Sequence, residues 1–120
     1  MTASLRSRLL LLAAGTNGAM AVMAAAYGAH GLDGHATELI EKGSNFQLLH
    51  ATLLVALVPG QGRWQTAAAV LFVLGMILFC GSLYVMVIWS VPTTALVPLG
   101  GSAFIFGWLM LVIAALRGDR

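Results

Sequence analysis

The sequence predicts an all-α integral membrane protein, a four-helix bundle with its N- and C-termini cytoplasmic. Three observations carry this prediction. The 120 residues are 60% hydrophobic and only 8% charged, whereas a soluble domain carries about a quarter charged residues. So few polar groups cannot cover a surface in water, and the solvent must be lipid. Uncharged stretches long enough to cross a bilayer recur along the chain, and the arginines fall in every second connecting segment. The length suits one domain with no room for a separate soluble module. The pI of 9.2 reflects an excess of only +2 on scattered arginines without a basic stripe, which argues against a nucleic-acid partner. The single Cys80 excludes an internal disulfide and a cysteine metal cluster.

Arg6 and Arg8 precede the first span, Leu9 to Ala29, which is 21 residues without a charge. At about 1.5 Å per residue it crosses a hydrocarbon core of roughly 30 Å. Ala24-Ala25-Ala26 has the small residues of a signal-peptide cleavage site, but the apolar run is longer than a signal core, so the segment reads as a retained helix. Asn17 sits near its middle, and Gly15, Gly18, Ala21, Ala25 and Gly28 offer a small-residue seam for another helix.

Asp33 to Lys42 holds three of the four acidic residues and reads as a short interfacial segment. Ser44 and Gln47 have capping-box spacing, which places the second helix over 45–59, ended by Pro59-Gly60. That helix is short for a crossing, so a start near Ala36 is the alternative. Gln61 to Trp64 forms a tight turn carrying Arg63. The third span is 67–89, and Ser90 to Thr94, with Pro92, makes the next turn. The fourth span is 95–116, with Pro98 in its first turn, where a missing N–H is tolerated.

The positive-inside rule sets the orientation. With the N-terminus inside, Arg6, Arg8, Arg63, Arg117 and Arg120 less Asp119 give +4 in the cytoplasm. Lys42 less Asp33, Glu38 and Glu41 gives −2 outside, and together these make the chain's +2. This topology places the least lipid-like residues of all four helices in the outer half of the bilayer: His30, Gly28 and Gly31 at the end of the first, Gln47 and His50 on one face of the second, Ser82 and Tyr84 late in the third, and Gly100 and Gly101 early in the fourth. With Asn17 they form an expected polar and small-residue packing cluster.

Four stretches in this region stand out: YGAHGL (Tyr27 to Leu32), FQLLH (Phe46 to His50), FCGSLY (Phe79 to Tyr84) and PLGGSAFIFGW (Pro98 to Trp108). In order and spacing they resemble the YgdD-like family of small membrane proteins, a domain of unknown function that includes animal transmembrane protein 256. The resemblance spans essentially the whole chain. It departs at Phe46, where tyrosine is usual, and at Cys80, where serine is common. It implies a four-helix integral protein of the bacterial inner membrane and implies no activity.

The sharpest functional expectation is a haem, a transition metal or a quinone held by His30 and His50, with Gln47 beside them. Neutral imidazole is the commonest transition-metal ligand. Against it, the chain has no His-x-x-x-His pair and no carboxylate within a span, His35 lies in a loop, and histidines that hydrogen-bond across helices need no cofactor. A transporter would have to be oligomeric, and its spans hold no ionisable relay beyond these histidines. The six methionines are dispersed and suit gap-filling. Catalysis finds no base for Ser82, and the glycine-rich stretches lack the lysine of a phosphate loop. The leading expectation is a non-enzymatic structural or accessory subunit without a cofactor, its surroundings being membrane lipid and other membrane subunits or further copies of itself.

Overall fold

A computed structural model describes residues 2–119. Four helices follow in order: α1 (Ala3–Gly31), α2 (Gly34–Ala56), α3 (Arg63–Trp89) and α4 (Leu96–Arg117). There is no strand among the described residues. Helices α1, α3 and α4 are long and apolar enough to cross a membrane. The molecule measures 46 × 24 × 19 Å, and its long axis matches a bilayer with its headgroup layers, about 40–45 Å.

Helix α1 begins well ahead of the expected residue 9 because Thr2 caps it, its hydroxyl accepting from the Leu5 N–H at 3.1 Å. The link to α2 is only Leu32 and Asp33, both extended. Gly34 then opens α2 at φ +64, a conformation that costs any residue with a Cβ.

Helix α2 corrects the capping-box reading. It starts at Gly34, close to the alternative start near 36. Ser44 lies inside the helix, and its hydroxyl turns back to the Glu41 carbonyl, as serine does in helix interiors. Gln47 points across to other helices rather than back to Ser44. Local capping loses here to packing: Ile40 is fully buried against Gly28 of α1, and the Tyr84 ring covers Gly43.

Helix α3 starts at Arg63, inside the expected turn, and contains a π-helical stretch, Met76–Cys80, that the sequence reading does not anticipate. Ser90, at φ 56, ends it. Helix α4 keeps Pro98 in its first turn and stops at Gly118, φ +66, whose N–H returns to the Ala114 and Ala115 carbonyls.

Helix α1 packs on α2 through Ala14, Ala21 and Gly28, spaced seven apart and all buried. This seam is narrower than expected, since Gly15 and Ala25 are exposed. Helices α3 and α4 run antiparallel in a single register: Phe79 meets Gly100, Gly75 meets Phe104, and Phe72 meets Gly107. The last two pairs are reciprocal, each helix seating a phenylalanine on the other's glycine. Such small-residue contacts let membrane helices approach where no hydrophobic force drives them together. The core joins Leu10, Ala14, Leu54, Phe72, Met76, Cys80 and Phe104. Leu12, Met23, Ile105 and Leu116 face outward, as a lipid solvent requires.

Candidate functional site

Between α1, α2 and α3 lies a one-directional hydrogen-bond thread. The Tyr84 hydroxyl donates to Gln47 Oε1 at 2.6 Å, Gln47 Nε2 donates to Asn17 Oδ1 at 2.9 Å, and Asn17 Nδ2 donates to the Ala13 carbonyl at 2.9 Å. Each link crosses a helix boundary or closes on backbone, so three polar side chains that would be costly alone in an apolar interior satisfy one another.

Deeper along α2, His50 is 1% exposed and caged by aromatic rings. Phe104 stacks on it with centroids 3.9 Å apart and planes within 12°, and Phe72 and Phe46 flank it. Trp108 Nε1 lies 3.2 Å from His50 Nε2, and His50 Nδ1 lies 2.7 Å from the Phe46 carbonyl. An indole N–H can only donate, so Nε2 is the acceptor and Nδ1 carries the proton given to Phe46. Both ring nitrogens are thus committed to the protein, and the imidazole is held as one neutral tautomer.

His30 and His50 do not face each other. His30 is exposed at the last turn of α1, beside Asp33 and Ala36. Because α2 begins at Gly34, His50 lies 16 residues along it, about 24 Å from that end at helical rise. A group held jointly by these two histidines is therefore not what this geometry presents. Among the described residues no three of His, Cys, Asp and Glu cluster as a metal site would require. His35 and Glu38, 3.5 Å apart, are both exposed.

Of the expected packing cluster, Asn17, Gln47 and Tyr84 come together in the thread, while the others serve locally. Ser82 bonds back to the Leu78 carbonyl. Gly31 lies under the ring of Tyr27 in its own helix, Gly28 meets Ile40, and Gly100 meets the Phe79 backbone. Gly101 makes only an ordinary contact with the Phe79 ring.

The sequence reading misses a second polar assembly, at the end of the molecule that holds both termini. Arg6, taken only as a topology-setting charge, is 7% exposed. Its Nε donates to Thr66 Oγ1 at 2.8 Å and its Nη1 to the carbonyls of Leu57 and Val58 at 3.1 and 3.3 Å. A cation thereby caps the C-terminus of α2, the negative end of the helix dipole. Asp119 does the converse: its Oδ2 accepts from the Gln65 N–H at 3.0 Å in the first turn of α3, whose own cap position is Gly62, with no side chain to offer. Residues near the two chain ends thus clamp both sides of the 57–62 loop. Trp108 and Phe104 are missed as well, although their i, i+4 spacing matches that of Phe46 and His50.

These features define a class: a small, multi-pass, all-helical membrane protein with a hydrogen-bonded interior. Residues 24–101, more than half of the chain, match the model of a family described as "Protein of unknown function (DUF423)". A UPF0382 membrane protein of Staphylococcus aureus is 35% identical over 118 residues, covering 92% of this chain and 97% of the relative. The UPF0382 membrane protein YwdK of Bacillus subtilis is 32% identical over 92% of this chain and 98% of its own. The UPF0382 inner membrane protein YgdD of Escherichia coli is 32% identical over 95% and 94%. No solved structure matches. The chain belongs to this DUF423 family, and it is an integral protein of the bacterial inner membrane.

Proposed function

We propose that the chain is a non-enzymatic accessory subunit, a four-helix bundle crossing the inner membrane four times with both termini in the cytoplasm and packing against other membrane proteins. One observation supports the reading: the polar side chains at the middle of the bundle, Asn17, Gln47, His50 and Tyr84, are paired with protein groups. Among the described residues, Arg6 Nη2 and Thr37 Oγ1 are the only buried side-chain polar atoms without a partner. A catalytic or transport site needs polar groups free to meet a substrate, and here the thread and the His50 cage use theirs to hold helices together.

The topology rests on charge. The terminal end carries Arg6, Arg8, Arg63 and Arg117 against Asp119, and the α1–α2 end carries Asp33, Glu38 and Glu41 against Lys42, an asymmetry that favours the basic end inside. Helix α2 is about 34 Å long by helical rise, enough to cross once its acidic first turns are allowed the headgroup layer. No cofactor is needed for this role.

Purification from native membranes in mild detergent tests the reading. A membrane protein recovered in fixed stoichiometry, lost when bulky residues are placed on the exposed face of α4, supports it. A haem Soret band or stoichiometric metal that disappears in His50→Ala would replace it with a cofactor role. For topology, His35→Cys in a Cys80→Ser background reacts with an impermeant reagent added outside, and Gln61→Cys reacts only after lysis.

A further inference from the structure

We infer that the trough between α1 and α3 beside Arg6 is a binding site for an anionic phospholipid, the phosphate meeting Arg6 and one acyl chain lying along the helices. The trough encloses about 280 Å³. Leu9, Leu10 and Ala13 of α1 and Ala69, Val70 and Val73 of α3 form its apolar walls, with Arg6 and Thr66 as its polar end. That end sits where the uncharged run of α1 begins, at headgroup depth. From Arg6 to Ala13 the trough descends about 10 Å by helical rise, so its axis follows the path a lipid tail takes into the bilayer.

The guanidinium supplies the second, independent observation. Two of its three nitrogens are fixed on Thr66 and on the carbonyls of Leu57 and Val58, which holds the planar group in place. The third, Nη2, is buried and has no hydrogen-bond partner among the described residues, which also give Arg6 no carboxylate partner. A buried cationic N–H without an acceptor is costly, and arginine matches phosphate oxygens better than any other side chain. Arg6 borders the trough, so a phosphate lying there would complete the guanidinium's hydrogen bonds once Nη2 turns toward it. The surrounding charge selects the headgroup: Arg8, Arg63 and Arg117 share this end with Asp119 as the one described acid. At the opposite end a second trough between the same helices, lined by Met23, Tyr27, Tyr84 and Ile88 among others, has no charged residue and lacks this recognition.

Native mass spectrometry of the delipidated protein, titrated separately with phosphatidylglycerol and phosphatidylcholine, tests the site. One phosphatidylglycerol per chain is expected, bound at least tenfold more tightly than phosphatidylcholine. Val70→Trp and Leu74→Trp, at exposed positions on the trough, fill it without touching Arg6 and each weaken phosphatidylglycerol binding at least tenfold. Val112→Trp, on the exposed face of α4, leaves it unchanged. Equal binding of the two lipids, or full binding by both trough variants, overturns the proposal. So does thermal protection by inorganic phosphate equal to that by phosphatidylglycerol, which would mark an anion site without a lipid.

Discussion

The polar interior and the terminal clamp are made from the same kinds of hydrogen bond, but they finish differently. In the interior, the Tyr84–Gln47–Asn17 thread runs until it closes on a backbone carbonyl, and both nitrogens of His50 find partners. In the clamp, Arg6 makes three contacts and keeps one nitrogen unpaired. A closed network fixes helix positions and has nothing left to offer. An open one holds a charged group still while leaving it able to bind. On the proposed reading, the interior holds the helices together and the lipid binds at the end where the network stops short.

The largest expected effect breaks the closed side of that contrast. His50→Ala removes a buried ring stacked on Phe104 and takes the acceptor from the part-buried Trp108 N–H. Cavity formation and the lost acceptor together should cost about 3 kcal/mol, read by equilibrium unfolding in mixed micelles. His50→Phe should recover the stacking part of that loss and leave the indole unpaired. A stable His50→Ala protein would mean that the cage is loose enough to exchange partners, and the interior would no longer count as closed.

Tyr84→Phe is the next in size. It keeps the ring over Gly43 and deletes only the hydroxyl that Gln47 Oε1 accepts from. Interhelical hydrogen bonds in membranes contribute about 0.6 kcal/mol on average and up to about 1.7. This one is part-buried and ends a chain, so a loss of about 1 kcal/mol is expected in the same assay. Gln47→Leu added to Tyr84→Phe should recover none of it, because it removes the orphaned Oε1 but leaves Asn17 Oδ1 without its donor.

Much of the fold was legible in the residues, and the misses have physical causes. Composition and charge placement identified four helices in order, because uncharged stretches and their flanks answer to the bilayer alone. The start of α2 was misplaced because Ser44 and Gln47 imitate a local cap while their side chains are used in packing. That single error sets His50 too near the α1–α2 end and pairs it with His30. Gln47, Asn17 and Tyr84 could be found as the polar residues of apolar segments, since such groups must seek one another. Arg6 and Asp119 could not, because a charge near a span end satisfies the topology rule whether or not it also caps a helix.

On the clamp, Asp119→Ala removes the acceptor that Gly62 cannot supply to the first turn of α3. Loss of a helix N-cap costs about 1 kcal/mol, and less is expected if Gln65 finds water at this half-buried site. Hydrogen exchange at the Gln65 and Thr66 amides should rise well before that of Phe72. Uniform acceleration along α3 would instead make the clamp part of the global core and erase its distinction from the interior.

The smallest effect is expected at His30, and it sharpens the comparison because His30 belongs to neither region. It is exposed at the end of α1 and has no hydrogen-bond partner within the described residues. Exposed substitutions away from caps and networks change stability by less than about 0.5 kcal/mol, so His30→Ala should unfold with the wild-type protein while His50→Ala does not. Visible spectra and bound metal should likewise be the same for His30→Ala and wild type. If both histidine variants lost a chromophore or a stoichiometric metal together, α2 would have to slide outward by several turns to bring the two rings to one depth. The thread at Gln47 and the seat of Ile40 on Gly28 would then both have to break, so a shared loss would overturn the α1–α2 packing along with the roles assigned to its residues.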